Sequence, residues 1–502
     1  MKYALGYIGL ATALLTGCNN SSTPPPPPQV VTPHPPTVTP QPPVVDNSVP
    51  TELRGIWQAP GYGEVMEITA NTVSTYLYTS DFCVLNLVLE NVTAEAIQTR
   101  LRTEGQGIID FGSYGTAEHH APGKRYHAAN ALPESCNTNL IARIQEDNYI
   151  VNPERDAAFF AQIFDEYYLD FNQHNVDWSA VTQALLANVS PQTTDSELFD
   201  LFETALDDIN DGHVSIEFQD NDVSKETKPS IQSRLLQEYF TVNNLQPPFT
   251  TEQLTAAALY IDESLAQFPV ILAQYLPQNT EFNVEANNNI VWFQMGDIGY
   301  IAILGMGIYS NDGELASEIA ITDEVMDRIL TTMQDTQGLI LDVRLNGGGF
   351  DFVSTALAGH FTDTPFTGYS KQVREGSDRS PLVNSVIHPR GETYTKPIML
   401  LTSSSTASAA EVFTIAMREL PHVTVLGEAT QGALSDILSV TLPNGIELGL
   451  SNEFYLSPNG EWFEGSGVPV DAFVPFFTLE QRNNTTDLGI DTAIQRLQKL
   501  AL

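Results

Sequence analysis

The segment Leu401-Thr-Ser-Ser-Ser-Thr-Ala-Ser408-Ala-Ala-Glu411 sets a cluster of hydroxyls between an apolar run, 397–401, and a helix-forming run, 409–417. A serine at a strand-to-helix junction presents its hydroxyl at a helix N-terminus. The backbone N–H groups there lack intrahelical partners and carry partial positive charge. That setting suits a nucleophile whose attack creates an oxyanion. Taken alone, Ser403, Ser404, Ser405, Thr406 and Ser408 read equally well as helix N-caps. A second segment, Leu339-Ile-Leu-Asp342-Val-Arg344-Leu-Asn346-Gly347-Gly348-Gly349, is a buried strand emptying into glycines. Glycines let backbone N–H groups approach a ligand closely, and they equally make tight turns. No lysine follows them, so a phosphate loop is not indicated. His213 follows Gly212 at a helix exit, and an imidazole titrating near 6.5 can take a hydroxyl proton and return it to a leaving amine. Glu464 stands in Gly460-Glu461-Trp-Phe-Glu464-Gly465-Ser-Gly467-Val468-Pro469-Val470-Asp471, which by itself reads as an acidic hairpin turn. A carboxylate of this kind can orient an imidazole and stabilise its cation.

The elements that must position these groups follow from periodicity. From residue 299 onward apolar strands (300–304, 339–343, 398–401, 423–426) alternate with helical stretches (314–333, 352–360, 409–417). This alternation predicts an α/β domain over 296–502, with helices on a largely parallel sheet. Residues 150–220 carry helical periodicity with Phe159, Phe164, Tyr167 and Phe171 as core candidates, and form a helical bundle ending in the His213 element. Residues 221–295 read as a mostly helical intervening region. They show no clear Gly-Leu-Gly-Phe-like peptide-binding loop. Residues 51–145 read as a small β-rich module of short alternating runs. Its Glu118-His119-His120 and His127 lack a spacing with defined ligand geometry, so no metal is expected.

The chain has 502 residues, 22 Lys+Arg against 62 Asp+Glu, and a net charge of -40. Such a surface repels nucleic acid and anionic headgroups, which excludes nucleic-acid partners. At the N-terminus, residues 1–18 combine Lys2, an apolar stretch over 3–15, and Leu15-Thr16-Gly17-Cys18. The stretch is too short for a mature membrane span and reads as a targeting segment. Leu15 to Cys18 resembles a bacterial lipobox, which implies cleavage before Cys18 and lipidation of its thiol. Asn19 then suggests the periplasmic face of the outer membrane. Residues 19–50, rich in proline, read as an extended spacer that would hold the body up to ~100 Å from an anchor. Export leaves Cys83 and Cys136 as either a disulfide or two buried thiols.

Taken together, these segments resemble the carboxy-terminal processing (tail-specific) serine peptidase superfamily. The matching elements are Asp211-Gly212-His213, Asp342-Val-Arg344-Leu-Asn346-Gly-Gly348-Gly, Ser408-Ala-Ala-Glu411, Gly427-Glu428-Ala-Thr430-Gln-Gly432 and Gly467-Val-Pro469-Val-Asp471. The resemblance implies a ClpP/crotonase-like α/β catalytic domain and hydrolysis of polypeptides without a cofactor. Members with a Ser–Lys dyad place lysine after the Gly-Glu-x-Thr element. Here that position is Ala433, and no lysine lies between Lys396 and Lys499. The sequence is thus closer to the tricorn-core-like branch, which implies Ser408, His213 and Glu464 as the catalytic set. Gly348 and Ala409 are then the expected oxyanion donors, and Gly347 and Gly349 the substrate-binding glycines. Tricorn-type members carry a serine before the histidine, where this chain has Gly212. Some relatives hold ligands on this scaffold without proteolysis, so a peptide- or hydrophobic-ligand-binding protein is the alternative expectation. Oligomeric state is not legible from the sequence.

Overall fold

The computed structural model describes residues 47–105, 107–111 and 122–500. The targeting segment, Cys18, the spacer as far as residue 46 and Glu118-His119-His120 lie outside the described residues.

The strands that read as continuous apolar runs form the centre of a mixed α/β body. Their sheet has the order Asn283–Glu285, Ile290–Met295, Ile298–Ile303, Gly338–Asp342, Ile398–Thr402, Val423–Gly427, Ala472–Phe473. Pairing is parallel from Ile298–Ile303 onward and antiparallel before it. Strands buried on both faces need apolar side chains on both, which is why alternation is lost from their sequences. Ile301, Ile303, Leu339, Leu341, Ile398 and Leu400 pack under the helices Leu315–Thr332, Asp351–Gly359 and Ala409–Arg418. Their neighbours Tyr300, Ala302, Ile340, Met399 and Leu401 pack on the opposite face, with the helices Ile231–Val242, Gln267–Leu272 and Leu488–Leu500. The C-terminal ends of Gly338–Asp342 and Ile398–Thr402 open side by side into the glycine loop and the serine turn. In open α/β sheets this carboxyl edge is where ligands bind.

Residues 221–295 are more mixed than their helical periodicity suggests. Besides the helices Ile231–Val242, Thr251–Leu265 and Gln267–Leu272 they supply Asn221–Ser224 and the edge strands Asn283–Glu285 and Ile290–Met295. The strand Ser215–Phe218, just after His213, pairs with Glu447–Ser451, so that Ile216 faces Leu448 and Ser215 faces Gly449. A Cβ at Gly449 would lie 2.6 Å from Ser215 Oγ, so glycine is what lets these strands close. This pairing seats the histidine segment on the hairpin formed by Ile437–Thr441 and Glu447–Ser451.

The N-terminal β region is an eight-stranded sheet, and Cys83 and Cys136 are disulfide-bonded within it (Cα–Cα 4.8 Å). It has a small cluster of its own, Val65, Tyr78, Cys83 and Cys136, but shares its larger core. One apolar cluster runs through it, the helices Pro153–Tyr167, Trp178–Ala187 and Asp195–Ala205, and the strands Ile437–Thr441 and Glu447–Ser451. The reason lies in Pro153–Tyr167: Phe159 meets Phe82 of the β region at 5.4 Å, while Phe160 stacks on Phe202 of the bundle at 4.0 Å. A helix with two apolar faces must be buried on both.

Candidate active site

Ser408 occupies the sharp junction between Ile398–Thr402 and Ala409–Arg418, with φ 54° and ψ −129°. Such angles are costly for any residue with a Cβ and persist only where the surroundings impose them. Here they do. The Ser408 amide donates to Ala433 O (2.8 Å), and Glu411 Oε2 also lies 3.2 Å from it. The preceding hydroxyls are structural: Ser403 Oγ donates to Arg344 O, and Thr406 Oγ1 donates to Val343 O at 2.8 Å. They tie the serine turn to the end of the glycine-loop strand. Arg344 is itself fixed in the interior by Asp342 and Asp487.

The glycine loop lies directly against Ser408. A Cβ on Gly348 (φ 109°) would come within 2.6 Å of Ser408 Cβ and 3.2 Å of its Oγ. The Gly348 amide, however, donates to Asn346 Oδ1 at 2.9 Å. This amide is thus engaged with a side-chain acceptor two residues earlier in the same loop. The side chain of Asn346 is held in turn by its own Nδ2, which donates to Ile303 O at 3.0 Å. Gly347 and Gly349 are exposed on the same loop, and Ala409 is the first residue of the helix, where amides have no intrahelical acceptor.

His213 is 6% exposed. Its backbone N–H donates to Asp211 Oδ1 (2.9 Å), a carboxylate that also accepts from Tyr168 OH and Ser451 Oγ (both 2.9 Å). Burial lowers the imidazole pKa below its ordinary value, against the opposing pull of the Asp211 and Asp436 carboxylates and the Ser435 backbone. Nδ1 is buried without a hydrogen-bond partner among the described residues. Ala433 links the segment that carries His213 to the serine turn. A Cβ on Gly212 would meet Ala433 Cβ at 2.8 Å, and the Ala433 carbonyl holds the Ser408 amide. The Gly212 amide donates to Thr227 Oγ1 at 3.0 Å, which fixes the turn from outside.

Glu464 is buried, and its carboxylate accepts from the amides of Leu434 (3.1 Å) and Ser435 (2.9 Å). Burial raises its pKa well above the usual carboxylate range, assisted by Asp211 and Glu411. No hydrogen bond joins the imidazole of His213 to Glu464 or to the Ser408 hydroxyl among the described residues. Ser435 stands between them, its N–H on Glu464 and its Oγ accepting from the amides of Asn452 and Glu453 (both 2.9 Å).

Three further residues organise this loop. Glu411 is fully buried and accepts from Thr430 Oγ1 (2.5 Å) and the amides of Gly432 (2.7 Å) and Ala433 (2.8 Å). Burial pushes its carboxyl up to about 7 despite these donors. Lys228 Nζ donates to Thr430 O (2.6 Å) and to Ser466 O, pinning the 430 loop to the Glu464 turn. Asp211 anchors the histidine. Glu411 and Asp211 lie inside recognisable motifs, so their positions were legible though not their partners. Lys228 has no motif, and no sequence signal marks it.

Part of the chain is similar to known peptidases. Residues 297–474 match peptidase family S41. The carboxy-terminal processing protease CtpB of Bacillus subtilis (strain 168) is 26% identical over 135 residues, 27% of this chain and 27% of its own length. CtpA of the same organism is 26% identical over 208 residues, covering 38% of this chain and 43% of its own length. The chain thus spans well under half the length of these relatives. A crystal structure of a candidate peptidase from Parabacteroides merdae ATCC 43184 superposes with a TM-score of 0.53 at 23% identity, over 69% of this chain and 97% of that one, a likeness of fold.

Proposed function

Because the chain carries a peptidase family S41 domain over residues 297–474, we propose that it is a serine peptidase hydrolysing peptide bonds through Ser408 and His213. One observation carries this reading: Gly212, next to His213, packs on Ala433, whose carbonyl holds the Ser408 amide, and the glycine loop lies against Ser408 from another distant stretch of chain. Neutral His213, favoured by its burial, accepts the Ser408 proton as Oγ attacks the substrate carbonyl. The tetrahedral oxyanion is met by the Ala409 amide at the helix start, with the 347–349 loop beside it. Protonated His213 then gives its proton to the leaving amine, and water resolves the acyl-enzyme by the same steps. Hydrogen bonds of this kind are commonly long in unliganded sites and tighten when substrate binds. Glu464 supports the histidine through the 434–435 backbone that it holds. The finer fold description, a ClpP/crotonase-like catalytic domain, belongs to the same proposal.

Ser408→Ala tests it. The variant should fold normally and lose cleavage of an unfolded protein substrate, whereas undiminished cleavage removes Ser408 from the mechanism. Saturable peptide or lipid binding without cleavage in the wild type would instead favour the non-catalytic alternative. We also place the protein in the bacterial cell envelope, anchored through Cys18. The lipobox-like run and the Cys83–Cys136 disulfide support this. Palmitate incorporation that survives Cys18→Ala would rule the anchor out.

A further inference from the structure

Resting on that peptidase reading, we propose that Ile308 and Phe350 form a subsite for a large aliphatic or aromatic side chain of the polypeptide next to the bond under attack. The two residues are apolar and exposed, 64% for Ile308 and 39% for Phe350. Isolated exposed apolar residues are ordinary on protein surfaces. These two are not isolated, and the backbone goes to some trouble to present them.

Ile308 has φ +60°. For a β-branched residue this left-handed conformation is a true outlier, and such strain clusters at binding and catalytic sites. It is imposed from behind. Asn287 Nδ2 and Asn289 Nδ2 both donate to Ile308 O (3.3 Å each), and Asn287 Nδ2 also reaches Ser310 O at 3.1 Å. The hairpin that supplies these amides, Ala286, Asn287 and Asn288, itself lies at positive φ. Glycine would fit position 308 without strain, yet the chain carries a bulky side chain there and turns it to solvent.

Phe350 is fixed in the same way. Its ring stacks on Phe352 at 5.1 Å. A Cβ on Gly307 would come within 2.5 Å of the Phe350 ring, so the ring lies flat over the backbone just before Ile308. Main-chain bonds lock the two segments: the Met306 amide donates to Gly348 O (2.8 Å) and the Phe350 amide to Met306 O (2.6 Å). The acids beside the two residues are engaged: Asp351 accepts from Tyr455 OH at 2.6 Å, and buried Glu318 accepts from the amides of Tyr309 (2.8 Å) and Ser310 (3.1 Å). The apolar platform is therefore a rigid extension of the loop whose Gly348 touches Ser408. A polypeptide laid across Ser408 and the glycine loop must pass it. The chemistry it offers is desolvation of an apolar side chain, with no charge to select a polar one.

The test uses the full-length protein and quenched fluorescent peptides, identical except at one position walked across three residues on each side of the scissile bond. The wild type should cleave the Leu or Phe peptide at least ~10-fold better in kcat/KM than the Gly or Asp peptide at one of these positions. Ile308→Gly relieves the strained φ, so its melting temperature should hold or rise while the preference falls to about twofold or less. Phe350→Ala should lower the same ratio. An unchanged ratio in both variants, or no apolar preference in a wild type that cleaves and is labelled at Ser408 by a fluorophosphonate, overturns this subsite alone. A wild type that neither cleaves nor labels overturns the peptidase reading with it.

Discussion

The structure gives a steric reason for glycine at position 212 that can be measured. Its backbone is outside the left-handed region, so alanine is conformationally allowed there. The added Cβ would nevertheless lie 2.8 Å from Ala433 Cβ. Two carbons rest comfortably at about 3.5–4.0 Å, so a gap of about 1 Å must open. Neither partner can swing aside, because each is a bare methyl on a fixed backbone. The Ala433 amide and carbonyl are held by Glu411 and Ser408 (both 2.8 Å), and the Gly212 amide by Thr227 (3.0 Å). Overpacking of this kind costs about 1–3 kcal/mol. The displacement passes either to Ser408 through its bond to Ala433 or to His213 through the chain. A shift of that size at reacting groups costs about a hundredfold in rate. Gly212→Ala should therefore lower the urea midpoint and slow fluorophosphonate labelling. Removing the opposing methyl in Gly212→Ala/Ala433→Gly should restore much of both, giving a coupling energy of about 1–2 kcal/mol in a double-mutant cycle. Wild-type stability and labelling in Gly212→Ala, or strictly additive effects in the cycle, would refute this packing argument.

Burial lowers the His213 pKa, so the acid limb of kcat/KM should have its midpoint below the unperturbed value of about 6.5. The fold prefers the neutral imidazole, so its contribution to stability is present above about pH 6.5 and is lost as pH falls through the folded pKa. A midpoint above pH 7 in the labelling rate would contradict this. Lys371 is 5% exposed and pairs with the fully buried Glu453 at 3.0 Å. Glu453 also accepts from Tyr62 of the N-terminal β region. Lys371→Met strands that carboxylate and should cost about 3–5 kcal/mol in urea unfolding at pH 7. A loss under 1 kcal/mol would show that Lys371 is not what compensates the buried Glu453 carboxylate.

The parallel sheet and the serine turn were readable because each is local. The run over 397–401 must be buried on both faces, and the hydroxyls at its end mark the turn into the helix that follows. Asp342, Arg344 and Asn346 were recognisable by spacing, but only the fold shows that Asn346 takes the Gly348 amide. The antiparallel strands Phe366–Glu375 and Val383–Ile387 went unread, since they lie in a region with no clear periodicity. Long-range pairing was equally hidden. Nothing near Ser215 indicates that it will face Gly449, yet this register carries His213 to Ala433. The packing across residue 150 was hidden for a related reason: Phe159 and Phe160 are adjacent in sequence and serve two different packing surfaces.

The central claim is that the Ser408 hydroxyl is activated by His213 across the Ala433 contact. The most direct test is to label the wild type, His213→Ala and Ser408→Ala with a fluorophosphonate at pH 7.5 and map the adduct by peptide mass spectrometry. The account predicts one adduct on Ser408 in the wild type, formation at least a hundredfold slower in His213→Ala, and none in Ser408→Ala. An adduct on a different residue, or equal labelling rates with and without His213, would contradict it.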